Sequence, residues 1–509
     1  FEEQFPQVKG REVILYVGRI NWVKNPKILE INTFPWLHSL SEIYSTSINL
    51  KNIPEQIFNQ SFRFFDAVWL MGVWERSPAS KRIALERSDL QEDFKRVLPD
   101  LRDIDVIGSP YAVYYYHIDN KIGGIDGLKE VREKLSEKNI RLVLDYVPNH
   151  VSIDSLWTFE SDLFIKGTLD DLISHPYEYF SIGEKVFAYA RDPNYPSWTD
   201  TIQINAFSKK ARQKTINTIL QIAEICDGVR CDMAMLMTNK VFSKTWGEKA
   251  GFTPERDFWE EIIPAIKKEH PNFIFIAEVY WGMEWELQQQ GFDYCYDKRL
   301  YERFIHENVN AIKDHLKAEW GFQSKLIRFI ENHDELRAIE KFGEKKSLAA
   351  AIIALTLPGA RLVHDGQIYG YKIKLPVQLG RRPFEEKNET ILNFYLNLLN
   401  AIPSQEFKNP NWSLCEVKPI DSDNSFINII SYLWWTDSRY RLIVVNFSPR
   451  YSKAHIKISP FHFDTYKWSF TDLLHKKTYS YNGEDLYKYG LYVELEAWKG
   501  HIFDIKKET

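Results

Sequence analysis

Four apolar runs in this chain end in charged or amide side chains, and they do so in a fixed order. Residues 142–144 lead into Asp145-Tyr146-Val147-Pro148-Asn149-His150. Residues 222–229, with interruptions, lead into Arg230-Cys231-Asp232. Residues 273–277 lead into Glu278, and residues 326–330 into Glu331-Asn332-His333-Asp334. Strands of a buried parallel sheet look like this, because both of their faces are covered while their C-terminal ends deliver side chains to one rim. A chain that repeats the pattern is constrained to a sheet with its polar chemistry on one edge.

The segments between these runs fit that sheet. Further strands are expected at 29–33 and at 67–72, the latter bounded by Arg76-Ser77-Pro78. A helix is expected over 125–138, with Leu128, Val131 and Leu135 on one face and Asp126 placed to cap its start. Strand, helix and strand at this spacing make a βαβ unit. Residues 292–296 and 360–364 supply later strands. Residues 151–200 break the rhythm: they are rich in Asp, Ser, Pro and aromatics and show weak periodicity, before a helix over 209–224. Past residue 400 strands alternate without helices, at 426–435, 441–447 and 455–458, with turns at Thr436-Asp437-Ser438 and Ser448-Pro449. That reads as a small antiparallel β-sandwich.

Composition narrows the classes. At 509 residues the chain exceeds one compact core, so two or three domains are expected. Acidic and basic residues are interspersed to a net charge of −5, which excludes the basic face that nucleic-acid binding needs. No apolar run is long enough for a membrane helix. Phe1-Glu2-Glu3-Gln4-Phe5 shows no charged-then-apolar leader. It also lacks an initiating Met, so the reading is a cytoplasmic protein whose N-terminus is processed or incomplete. Cys226, Cys231, Cys295 and Cys415 have neither metal-type nor disulfide-type spacing; Cys226 and Cys231 are expected to be small buried hydrophobes. The 16 Trp, 27 Tyr and 32 Phe suit stacking on sugar rings, although most are expected simply to fill a large core. Nothing in the sequence sets an oligomeric state.

Carboxyl groups from several strands on one rim are what cleavage of a glycosidic bond requires. A retaining enzyme needs a carboxylate nucleophile and a carboxylic acid about 5 Å apart. Asp232 and Glu278 are the candidates. Arg230 lies two residues before Asp232, on the same strand face, where it can hold that carboxylate ionised. Taken alone, Arg230 and Asp232 would read as an ordinary strand-end ion pair. Glu278 ends a buried strand, where partial desolvation favours a proton donor.

The four stretches together resemble the four sequence regions of the α-amylase family, glycoside hydrolase family 13. The resemblance covers roughly residues 28–370 and extends more loosely beyond. It implies an α/β fold: a (β/α)8 TIM barrel built from 1–150 and 201–400, a short domain B insertion over 151–200, and a C-terminal antiparallel β-sandwich over 401–509. It implies Asp232 as nucleophile, Glu278 as acid/base, and Asp334 as the carboxylate that holds two sugar hydroxyls and distorts the ring. His150 and His333 would donate to the same sugar, and Tyr111 would stack beneath it, although Ala112 stands where the family often has Asp. Asp145 and Asn149 would serve architecture.

Departures from the family follow the nucleophile. Where the family often has Lys-His, this chain has Met235-Leu236, within the run Met233-Ala234-Met235-Leu236-Met237. That run suggests either an apolar wall on the acceptor side or packing of the next helix. The family's calcium takes an Asn matching Asn149 and a His carbonyl. Without that His, no cofactor is expected, and calcium at Asn149 is not expected to be required. Gln378-Leu379-Gly380-Arg381-Arg382-Pro383 has no assigned role. The reading is retaining hydrolysis of α-glucosidic bonds, mainly α-1,4, in starch-like glucans or maltooligosaccharides. A transglycosylase and an exo-acting α-glucosidase are the rivals within the family. A non-catalytic relative serving as a transporter subunit or binding scaffold is the remote one, since all three carboxylates are kept.

Overall fold

A computed structural model describes residues 25–306, 309–402, 410–459 and 463–508. The expectation about residues 1–5 lies outside the described residues. Eight parallel strands close into a barrel in sequence order: β1 (Lys27–Asn32), β2 (Ala67–Met71), β3 (Arg141–Tyr146), β4 (Gly228–Cys231), β5 (Ile274–Ala277), β6 (Tyr294–Tyr296), β7 (Leu326–Arg328) and β8 (Ala360–His364). They are short and almost wholly buried, as the apolar runs required. β8 pairs with β1 to close the ring, aligning Leu362 with Ile28 and His364 with Glu30.

Register places the rim. On β4, Arg230 is level with Asp145 of β3 and Ile276 of β5, and Cys231 is level with Ala277. The next residue of each strand, Asp232 and Glu278, therefore leaves the barrel in the same row. The helix α1 (Gly124–Glu137) buries Leu128, Val131 and Leu135, the face expected from sequence. Its cap is a correction: Gly123, at φ 110°, precedes the first turn and no side chain caps it. Asp126 lies inside that turn, where its charge suits the helix dipole.

Between β3 and β4 the chain leaves the barrel. Weak periodicity over residues 151–200 hid a five-stranded antiparallel sheet, whose strands lie between His150 and Gln203. Strands of two to six residues carry too little alternation to be read.

The C-terminal region is two antiparallel sheets. Six strands run in the order β9 (Asn411–Leu414), β11 (Ile429–Trp435), β12 (Tyr440–Asn446), β17 (Gly500–Lys507), β14 (Lys467–Asp472) and β15 (Lys477–Asn482). Three run in the order β10 (Glu416–Lys418), β13 (Ser452–Lys457) and β16 (Leu491–Leu495). Leu433, Leu442, Val444 and Phe503 from the larger sheet share a core with Ala454, Ile456 and Val493 from the smaller. One helix, α3 (Gly483–Tyr489), corrects the expectation of strands alone; Asn482 caps it through Glu484 N. The other face of the large sheet packs on the barrel helix α2 (Glu344–Thr356), buried along most of its length. Trp434 Nε1 donates to Thr356 O at 2.7 Å, satisfying a helix-end carbonyl inside the junction. No helix among the described residues is long and apolar enough to cross a membrane.

Candidate active site

Arg230 is the centre of the rim. One guanidinium nitrogen lies 2.7 Å from Asp232 Oδ1 and the other 2.8 Å from Glu278 Oε2, so a single planar fork bridges the two carboxylates. Asp145 Oδ1 lies 3.6 Å from the first nitrogen. The rings of Trp69 and Tyr111, each 5.2 Å from the guanidinium carbon, enclose the cation. Arg230 is therefore more than a strand-end partner for Asp232: it holds both candidate reacting groups.

Glu278 and Asp145 are each fixed from a second direction. Glu278 Oε2 also accepts from Met233 N at 2.7 Å, and Oε1 accepts from Tyr280 OH at 2.7 Å. Met233 sits at φ 43°, ψ 46°, a left-handed conformation costing a non-glycine residue about 1–2 kcal/mol. That conformation points its amide at Glu278. Asp145 Oδ2 accepts from Gly72 N at 3.0 Å, and its backbone carbonyl accepts from Trp74 Nε1 at 2.9 Å. Asp145 thus ties β2 to β3 beneath the site.

Asp334 stands at the mouth, its side chain 44% exposed, with Oδ2 3.0 Å from His333 Nε2. His333 is wired on both sides: Nδ1 lies 2.5 Å from Glu30 Oε1, and Nε2 lies 2.6 Å from Tyr111 OH. Burial opposes its charge, yet Asp334 and Glu30 raise its pKa to about 10, so it is imidazolium at neutral pH. His333 in turn holds the Asp334 carboxyl well below the usual carboxylate range, against burial. His150 is the opposite case. Burial lowers it to about 3, so it presents a neutral ring, 5.1 Å from that of Trp198. For Asp232 burial is the largest influence and raises the carboxyl to about 8; Arg230 opposes it and Glu278 adds to it.

All nine sequence-selected residues lie at or beneath this rim. Tyr111, His150, Asp232, Glu278 and Asp334 line a cleft with room for about 570 Å³, alongside Trp198 and Tyr195 from the insertion. Arg230, His333 and Asp145 lie under its floor, and Asn149 lies at the junction with the insertion. Sequence reasoning missed Glu30 and Tyr280, though both left a signal. Glu30 is a lone acid inside an apolar strand, and Tyr280 lies two residues past Glu278. It also missed Gln203. Gln203 Nε2 donates to Asn149 Oδ1 at 2.8 Å and to the carbonyls of Asn149 and Ile204 at 3.0 Å each. A neutral amide thus gathers three oxygens at the junction, two of them from Asn149.

Two further readings change. Met235 and Leu236, 0% and 3% exposed, are packed in the barrel core, so they form no wall on the acceptor side. Only Met233 of that run lines the cleft. The unassigned Arg381-Arg382 pair pins the loop after β8: Arg381 Nε lies 2.9 Å from Asp105, and Arg382 lies 2.8 Å from Asp365.

No family model matches the chain. Alpha-amylase MalA of Haloarcula japonica is 26% identical over 266 residues, covering 50% of this chain and 36% of that protein. An alpha-1,4-glucan:maltose-1-phosphate maltosyltransferase of Picrophilus torridus is 21% identical, covering 74% of this chain and 58% of that one. The chain thus spans less than two thirds of the length of these relatives. Among solved structures, a noncanonic maltogenic alpha-amylase, AmyB of Thermotoga neapolitana, superposes with a TM-score of 0.64 at 19% identity, over 95% of this chain and 99% of that one.

Proposed function

We propose that the chain is a member of the α-amylase family and a retaining glycosidase acting on α-glucosidic bonds, mainly α-1,4, of starch-like glucans or maltooligosaccharides. The observation that carries the reading is the Arg230 fork bridging Asp232 and Glu278 at the floor of an open cleft.

In the first half-reaction Asp232 attacks the anomeric carbon as Glu278 gives a proton to the departing glycosidic oxygen. The carbon–oxygen bond to the leaving sugar breaks and a glycosyl ester forms on Asp232. In the second, Glu278 takes a proton from water, whose oxygen replaces Asp232 at the same carbon. Attack requires ionised Asp232, which burial disfavours in the open cleft. The proton that Asp232 gives up passes to Glu278, which ionises the nucleophile and loads the acid, and positive charge developing on the sugar beside Asp232 favours that arrangement. Asp334 offers an acceptor to neighbouring hydroxyls, held in place by the His333 imidazolium beneath it, and neutral His150 donates opposite Trp198. Asp145 and Asn149 are positioning residues.

Calcium is not required on this proposal, because Gln203 already holds the oxygens of Asn149. The four cysteines are free and buried, which suits the cytoplasm. The relative named as a maltosyltransferase supports a second reading, in which a sugar hydroxyl replaces water in the second step. Incubation with maltoheptaose decides. Shorter products alone indicate hydrolysis, products longer than the substrate indicate transfer, and an unchanged substrate overturns both.

A further inference from the structure

On the sandwich, outside the cleft, three side chains converge. Asp472 ends β14, His475 lies in the turn to β15, and His501 opens β17. His475 Nδ1 and His501 Nδ1 lie 2.6 and 2.5 Å from the same oxygen, Asp472 Oδ2, and a donor atom from each residue falls within 4.8 Å of the others.

Asp472 is completely buried, and among the described residues its ion-pair partners are these two histidines alone. A buried carboxylate needs countercharge, and a divalent ion coordinated by the carboxylate and both rings supplies it while replacing the two ring contacts by coordination bonds. The other oxygen, Oδ1, accepts from Leu474 N at 3.0 Å, which fixes the carboxylate and leaves Oδ2 facing the rings. The turn is itself held. Leu473 N donates to Ile502 O at 2.8 Å, Lys476 N to Asp472 O at 2.8 Å, and Lys476 takes the left-handed conformation at φ 56°. His501 stacks on Phe503 at 5.0 Å, while His475, 44% exposed, leaves one side open to water.

We propose that Asp472, His475 and His501 bind a divalent transition ion of the zinc class, with water as the fourth ligand, and that the ion ties the β14–β15 turn to β17. Two imidazole nitrogens and one carboxylate oxygen suit zinc and its neighbours, whereas calcium and magnesium want oxygens. Bonds of about 2.0–2.2 Å in a tetrahedron put donor atoms roughly 3.3 Å apart. The present contacts then open by less than about 1 Å, which rotation of the part-exposed rings provides. Each ring binds through Nδ1 and carries its proton on Nε2.

The full chain, stripped of metal by a chelator and dialysed, is titrated with cobalt(II). The expected result is one equivalent bound with the strong visible bands of tetrahedral cobalt, displaced by zinc, together with a melting temperature raised by zinc. His475→Ala, in an exposed turn, should weaken cobalt binding by at least about 100-fold. Asp472→Asn should do the same if His475→Ala lowers the yield of folded protein, while His175→Ala, at an exposed site in the insertion, should change nothing. No saturable visible band, or one-equivalent binding that survives both His475→Ala and Asp472→Asn, overturns the site.

Discussion

The segment from Asp145 to His150 feeds two neighbouring sites that handle buried polar groups in opposite ways. At its start, Asp145 joins Asp232 and Glu278 around a guanidinium that stays charged at any working pH. At its end, Asn149 and His150 meet Gln203 in a network without a formal charge, in which an amide serves both oxygens of Asn149. Burying ions is expensive and is tolerated where charge has work to do. A junction that only has to hold two domains together can be built without formal charge.

The sharpest way to break this contrast is Asp232→Asn. On the proposed mechanism it removes a covalent step, so turnover of maltoheptaose should fall by at least about 10⁴-fold in a protein that still melts cooperatively. Near-normal turnover would sink the assignment. Glu278→Gln should cost about 10²–10⁴-fold on the same substrate and recover on glycosides whose leaving group needs no proton. Equal losses on both substrate types would mean that Glu278 is not the acid. Arg230→Lys replaces a two-pronged cation by a point charge. A loss of about 10²-fold with a lowered melting temperature is expected, and full activity would show that the fork is incidental.

Two smaller effects separate the sites by charge. The folded Asp232 carboxyl titrates near 8, above its unfolded value of about 3.9. Its contribution to stability is therefore fully present below about pH 4 and lost as pH rises through 8. Asn cannot titrate, so the melting temperature of Asp232→Asn relative to the parent should climb between pH 4 and 8. A difference independent of pH contradicts the shift. At the neutral junction, calcium added to metal-free protein should leave the melting temperature unchanged, whereas Gln203→Glu should make it respond, because a carboxylate there repels the Asn149 oxygens unless a cation intervenes. A calcium response in the parent would show that Gln203 yields its place.

The rim was legible because each of its groups follows a continuous apolar run, and a parallel strand buried on both faces announces its own end. Glu30 and Tyr280 were readable by the same logic and went unread. Gln203 left no trace: its partner lies fifty-four residues away, and only the pairing of Gln203 with His150 brings the two together. Met235 and Leu236 failed for another reason. An apolar run carries no mark of which side faces a cleft, and the left-handed turn at Met233 sends the following residues into the core. The insertion's sheet escaped because its strands are too short to show a period.

Arg230 has a consequence for the whole proposed cycle. With Asp232 ionised and the proton on Glu278, the fork and its two carboxyls sum to zero. Once Asp232 is esterified and Glu278 has released its proton, they sum to zero again. Neither half-reaction then leaves the enclosed floor of the cleft with an uncompensated ion, and the medium around the sugar need not reorganise between the two steps. The invariant Arg230 cation makes the first transfer and the second electrostatic mirror images, with the negative charge merely passing from one arm of the fork to the other.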